Sequence, residues 1–176
     1  MSDFDLSTDE LRVVARYVAE SAEAVLPVFE SAHPDDPRPR AALRAAWDFV
    51  DGAERSRVQR VTSLDAHRAA REAATEVARL AARSAGDAAA AAYLHPLARA
   101  TQVGHILRAA ASAARIAELQ AGDAGAADRA VEEARRRASP VLVDVLSRYP
   151  PAPASRTRVG GLMSALDSAL RRDSAR

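Results

Sequence analysis

The chain of 176 residues has the length of one domain, and one domain is expected. Its 25 basic residues, all arginine, are matched by 24 acidic ones, so the net charge of +1 provides no long-range field for nucleic acid or an anionic membrane, and neither is expected as a partner. The absence of cysteine excludes disulfides and thiolate metal sites, and 44 alanines favour helices.

No segment is typical of a membrane protein or an exported one. The longest uncharged run, residues 88–98, has eleven residues, against the roughly 20 that a helix needs to span a bilayer. The start of the chain, MSDFDLSTDE, is acidic where a signal peptide is basic and then apolar. We therefore expect a cytoplasmic protein.

The first helix has a clear start. Ser7 can cap it, and Glu10 can reach back to complete a capping box. Pro27 predicts a kink or an early stop. Apolar residues recur at steps of three and four along one face: Leu11, Val14, Val18, Ala22, Val25 and Phe29.

A proline-rich turn at residues 33–40 precedes the second helix, which Asp36 can cap and Gly52 can end. A long helical region is predicted from Glu54 to about Arg83, with Thr62-Ser63 as a candidate break. Gly86-Asp87 is then expected to end this region and cap the next.

The second half of the chain predicts a buried central helix near residues 88–120, a loop at 121–125 and a charged outer helix at about 126–138. A short helix begins at Ser139-Pro140, and the last runs from about 158 to 172. The sum is a single all-α domain, residues 1–176, of about seven helices.

The familiar catalytic and cofactor motifs are absent from the sequence. There is no phosphate-binding glycine loop, no HExxH, no helical pair of histidines four residues apart and no GxSxG. We expect no cofactor and no metal site, and catalysis by a known motif is not indicated.

The stretch AAYLHPLARATQVGHI, residues 91–106, holds two of the four histidines in an almost uncharged run. One interpretation is that its polar side chains satisfy a helix break at Pro96. The other is that they line a pocket for a small polar ligand. The candidate ligand-binding residues are Trp47, His67, Tyr93, His95, Thr101, Gln102 and His105; an enzyme would use His95 and His105 as acid and base.

Arginines cluster at the start of the second helix. Arg38, Arg40 and Arg44 could contact acidic groups of a protein partner, or they could form an ordinary solvated face.

Three segments together resemble a known family. They are DPRPRAALRAAWDF (residues 36–49), AAYLHPLARATQVGHILRAAASAARIAEL (91–119) and RYPPAP (148–153). The combination is similar to the Imm-5-like putative immunity proteins, small helical bacterial proteins often mislabelled as an exonuclease subunit. The resemblance implies binding and neutralisation of a cognate toxin, and it supplies no catalytic residues. Gly104 departs from the family pattern, which often has a basic residue before the second histidine.

Three functional hypotheses follow. The first is a non-enzymatic protein that masks a toxin. The second is a small-molecule binding protein or biosynthetic accessory enzyme with a pocket around Tyr93, His95, Gln102 and His105. The third is a homo-oligomerisation module, because alanine-rich faces pack well on copies of themselves.

Overall fold

The computed structural model describes residues 3–174, which form α-helices and one short 3-10 turn and contain no β-strand. The helices are α1 (Thr8–Ala32), α2 (Arg38–Val50), α3 (Arg57–Glu72), α4 (Glu76–Ala91), α5 (Val103–Ala121), α6 (Ala124–Arg137), α7 (Pro140–Ser147) and α8 (Arg158–Ser174). The all-α prediction is confirmed, and the described residues hold eight α-helices where about seven were expected.

Two helices form the centre of the molecule. Helix α4 packs against α1, α2, α3 and α5, while α5 packs against α1, α4, α6 and α8. Most of the buried residues of α4 are alanine, so its neighbours can approach its backbone closely. Larger side chains complete the core around this pair, among them Phe29, Phe49, Leu107 and Leu146.

The central helix predicted near residues 88–120 is not continuous; a kink or break was expected at Pro96, and a break is present. Helix α4 ends at Ala91 and α5 begins at Val103, and an irregular segment with the 3-10 turn Ala100–Gln102 joins them. The backbone of this segment is satisfied from elsewhere in the chain. Tyr149 donates its hydroxyl to the carbonyl of His95 at 2.9 Å, and the backbone N–H of Asp3 donates to the carbonyl of Pro96 at 2.9 Å. Tertiary contacts therefore hold the break that Pro96 introduces.

The other helix boundaries show which local sequence signals determine where a helix starts or ends. The capping box of Ser7 and Glu10 is present as predicted. The break in the third helical region lies at residues 73–75, where Thr75 caps α4, while Thr62 bonds back to the carbonyl of Val58 inside α3. Gly86 and Asp87 lie inside α4 rather than at its start, because the carboxylate of Asp87 is bound by a side chain of another helix.

Helix α1 continues through Pro27 to Ala32. Leu26 and Phe29, both buried, fix the helix on each side of an exposed Pro27. Packing therefore outweighs the local cost of the proline. Among residues 3–174, no helix is long and apolar enough to cross a membrane.

Candidate functional site

A buried ion pair joins the two central helices. Asp87 of α4 has a side chain that is 1% exposed, and it receives both prongs of the Arg108 guanidinium from α5. Arg108 Nε donates to Oδ2 at 2.8 Å and Nη2 donates to Oδ1 at 2.5 Å. These charge-assisted bonds raise the pKa of Arg108 and fix both side chains in one geometry.

The imidazole of His67, from α3, packs beside this ion pair. Its Nε2 lies 3.6 Å from Asp87 Oδ1. Gly86 makes room for the ring, because a Cβ at that position would lie 3.0 Å from two ring atoms of His67. Burial lowers the pKa of His67, and the charge of Asp87 opposes this without outweighing it. The ring is therefore neutral at pH 7.

A cleft of about 490 Å³ opens beside His67. We call it the α3–α4 cleft, and it is lined by Leu64, His67, Ala70, Arg71, Glu76, Arg79, Leu80, Arg83 and Arg108. The ion pair of Asp87 and Arg108 lies at its edge nearest α5, and Leu64, Ala70 and Leu80 supply apolar wall. Its volume falls in the range of small-ligand sites, roughly 300–1,000 Å³.

The arginines of the α3–α4 cleft differ in what neutralises them. Arg108 is paired with Asp87, whereas within residues 3–174 no carboxylate lies within ion-pair distance of Arg71, Arg79 or Arg83. Arg79 donates instead to the backbone carbonyls of Ala73 and Ala74. The one carboxylate in the lining, Glu76, is bound by Arg115 at 3.0 Å. The cleft therefore carries an excess of positive charge.

The pKa of Arg83 is lowered, whereas that of Arg108 is raised. Burial lowers the pKa of Arg83, and the positive charge of Arg108 lowers it further, while Asp87 acts in the opposite direction. An anion placed beside Arg83 would offset both unfavourable contributions.

His105 stands one helical turn before Arg108 on α5. Its Nδ1 is buried and has no hydrogen-bond partner among the described protein groups. Burial lowers its pKa, with a smaller contribution from Arg108. His105 and His67, both half-buried, thus share the electrostatic surroundings of Asp87 and Arg108.

The other predicted ligand residues lie apart from the α3–α4 cleft. Tyr93 stacks under two arginines, with Arg60 4.6 Å from the ring centroid, and donates its hydroxyl to the carbonyl of Ser56 at 2.7 Å. His95 and Thr101 are exposed, and the Gln102 amide oxygen accepts from the backbone N–H of His95 at 3.4 Å. Neither His95 nor His105 lines the cleft, so His67 is its one lining residue from the predicted set.

Trp47 is a half-buried residue on α2. Arg16 lies over its ring at 5.6 Å from the centroid, and the buried indole Nε1 has no hydrogen-bond partner among the described residues. It packs against the hydrophobic core and does not line the cleft.

Two of the three arginines predicted to meet a partner are occupied within the chain. Arg38 pairs with Asp36 and Glu72, and Arg40 binds Glu30 through two bonds of 2.7 and 2.6 Å. Arg44 is exposed on α2. Partner binding by these three residues stays a prediction.

The match to known proteins covers the part of the chain that builds this site. The family described as Imm-5 like putative immunity protein matches residues 5–140, well over half of the sequence. The chain belongs to the Imm-5-like immunity protein family. The matched range contains the whole lining of the α3–α4 cleft, whereas almost all of α7 and all of α8 lie beyond it. Comparison with curated proteins and with solved structures gave no match.

For this Imm-5-like protein, the residues that build the cleft were largely overlooked at the sequence level. Arg71, Arg79, Arg83, Asp87 and Arg108 were not singled out as a site. A signal was present: residues 77–117 contain five arginines and one acidic residue, Asp87. In a chain whose charges otherwise balance, such a stretch indicates cations without partners. Within residues 3–174, no group of three or more acidic or histidine side chains is placed to hold a metal ion.

Proposed function

We propose that this protein binds and neutralises a cognate toxin through the outward face of α3. Membership of an immunity protein family supports a protein partner. The observation that carries the choice of surface is an apolar stripe on α3: Val58, Val61 and Leu64 are 55%, 42% and 55% exposed. Large apolar side chains grouped in this way are typical of surfaces that contact another protein.

The stripe lies in a basic setting. Helix α3 carries four arginines against two acidic residues, and one of those, Glu72, is bound by Arg38. The same face continues into the α3–α4 cleft through Leu64, where further arginines lack carboxylate partners. The partner surface that fits this arrangement is apolar at its centre and acidic around it, because such a surface gives electrostatic complementarity as well as apolar burial.

The test uses as probe a toxin-like protein encoded beside this gene, which the immunity proposal predicts. We expect co-expression to restore growth of cells that make the toxin, and isothermal titration calorimetry to show a complex. Changing Val58→Ser and Val61→Ser together, neither of which lines the cleft, should weaken binding by about tenfold or more, since burial of such side chains contributes about 1.5–3 kcal/mol each.

The matched control is Val141→Ser on α7, an equally exposed valine (44%) on a helix that does not pack against α3. Its affinity should equal that of the unchanged protein. If the toxin binds the double variant as tightly as it binds the unchanged protein, the interface lies elsewhere. Arg44→Gln in the same assay tests the predicted contact through the arginines of α2. No complex with the toxin, and no rescue of growth, would overturn the immunity function itself.

A further inference from the structure

We propose that the α3–α4 cleft binds a small organic anion, one that carries two or more carboxylates on a short hydrocarbon chain. This ligand is distinct from the protein partner proposed above. The proposal depends on the charge, shape and lining of the cleft and not on the immunity function.

The excess positive charge of the cleft favours the binding of an anion. Arg71, Arg79 and Arg83 are exposed residues that line the open cleft, and no carboxylate of the described residues lies within ion-pair distance of them. Arg83 lies on α4 between Arg79 and the ion-paired Asp87, and the nearby charge of Arg108 adds to the positive charge around it. Guanidinium groups bind carboxylates through paired, charge-assisted hydrogen bonds, so a ligand with two carboxylates can engage more than one of these arginines.

The apolar side chains that line the cleft favour a ligand with a hydrocarbon chain. Leu64 and Leu80 line the cleft together with Ala70, so part of any occupant contacts hydrocarbon rather than polar groups. An inorganic phosphate would leave those walls without apolar contact, whereas an aliphatic dicarboxylate covers them with its methylene groups. The volume of about 490 Å³ also suits a small molecule.

The inner edge of the cleft is already organised. Asp87 holds Arg108 through two bonds, and His67 packs against Gly86. Arg108 is therefore paired with Asp87, and the arginines without a carboxylate partner lie farther from this edge. The inner edge is therefore pre-formed, whereas binding must order the exposed side chains of Arg71 and Arg83.

The test titrates the full chain with glutarate, by calorimetry and by thermal unfolding. We expect saturable binding and a rise in the unfolding temperature. Arg83→Gln should raise the dissociation constant by about tenfold or more, because a hydrogen bond between charged groups contributes about 1.5–3 kcal/mol. Arg136→Gln removes the same charge from an exposed position on α6 and should leave the constant unchanged.

Three results would overturn the proposal. The first is no binding of glutarate to the unchanged protein while circular dichroism shows it folded. The second is equal binding by inorganic phosphate, which would remove the role of the apolar walls. The third is binding of a blocked Leu-Glu-Glu-Leu peptide, but not of glutarate, which would assign the cleft to an acidic protein segment. Loss of toxin binding by the α3 stripe variant bears only on the immunity function, so the two proposals fail separately.

Discussion

At the scale of single residues, the carboxylate of Asp87 is buried, with 1% of the residue exposed, and is held by an ion pair. It lies among alanines on α4 and its partner comes from α5, 21 residues later. Removing one partner of a buried ion pair leaves the other charged and desolvated, which costs far more than the pair contributes. Without Asp87, the Arg108 guanidinium would therefore keep its charge and lose its buried partner.

We expect Asp87→Asn to lower the free energy of unfolding by about 3 kcal/mol or more. The change keeps the shape of the side chain and removes its charge, so the loss reports on the stranded Arg108. Urea denaturation followed by circular dichroism measures it. The matched control is Asp65→Asn, which removes the exposed pair with Arg68 and should cost about 1 kcal/mol or less. Equal effects of the two changes would show that Arg108 finds solvent without Asp87.

At the scale of helices, the space around a glycine determines whether its replacement by alanine stabilises or destabilises the protein. Gly86 lies inside α4 against the His67 ring, whereas a Cβ on Gly161 in α8 would meet nothing within 4 Å. Both have helical surroundings, and alanine is favoured over glycine in a helix by roughly 0.5–1 kcal/mol. The same substitution should therefore have opposite signs at the two positions.

Gly161→Ala should stabilise the protein by about 0.5–1 kcal/mol, and Gly86→Ala should destabilise it. At residue 86 the new methyl group forces the His67 ring away from Asp87. Thermal unfolding of the two variants measures the difference. In a His67→Ala background the obstacle is gone, so Gly86→Ala should become stabilising; a penalty that persists there would mean that the His67 ring is not its cause.

The observed helix boundaries show which of them local sequence signals can predict. The capping box at Ser7 and the cap and proline at Ser139 and Pro140 were predicted and are present. The central helix predicted near residues 88–120 is divided by the break that Pro96 indicated, at wider bounds than expected, and the assignment of Gly86-Asp87 as a boundary was wrong. In both cases the deciding groups are distant in sequence. Tyr149 and Asp3 satisfy the backbone near Pro96, and Arg108 takes the carboxylate that was expected to cap a helix.

At the scale of the whole molecule, the N-terminal segment and the residues that follow α7 close over the segment between the central helices. Asp3 bonds to residues 96 and 98, and Phe4 meets Tyr149 edge to face with centroids 5.0 Å apart. Arg148 binds the carbonyl of Asp5 and the carboxylate of Glu10, whose pKa it lowers to about 2. The start of the chain is thus part of the folded unit, and α7 holds it there.

The stability of the whole molecule should fall in mild acid. The pKa values of His67 and His105 are lowered from 6.5, mainly by burial; Arg108, Arg83, Arg71 and His95 act in the same direction and Asp87 opposes them. Below about pH 6.5 the unfolded chain takes up protons that the folded protein does not. The free energy of unfolding therefore rises with pH in that window and levels off above it, with a slope of at most about 1.4 kcal/mol per pH unit for each histidine.

Urea denaturation at pH 7.5 and at pH 5.5 measures this dependence. The double change His67→Gln and His105→Gln should flatten it. The ion-paired carboxylates act at lower pH, because their pKa values lie below the ordinary 4.5 of glutamate, and so they do not produce a slope between pH 5.5 and 7.5. An unchanged slope in the double variant would show that other groups take up the protons.

The sequence by itself determined the all-α class, the family and several helix starts, because composition, apolar spacing and capping are local properties of the chain. Of the ligand residues it predicted, only His67 lies in the α3–α4 cleft, and His105 lies beside its inner edge. Only the tertiary structure decided which charges meet. It joined Asp87 to Arg108 and left Arg83 without a carboxylate among the described residues, since the pairing of charges depends on how α3, α4 and α5 pack together.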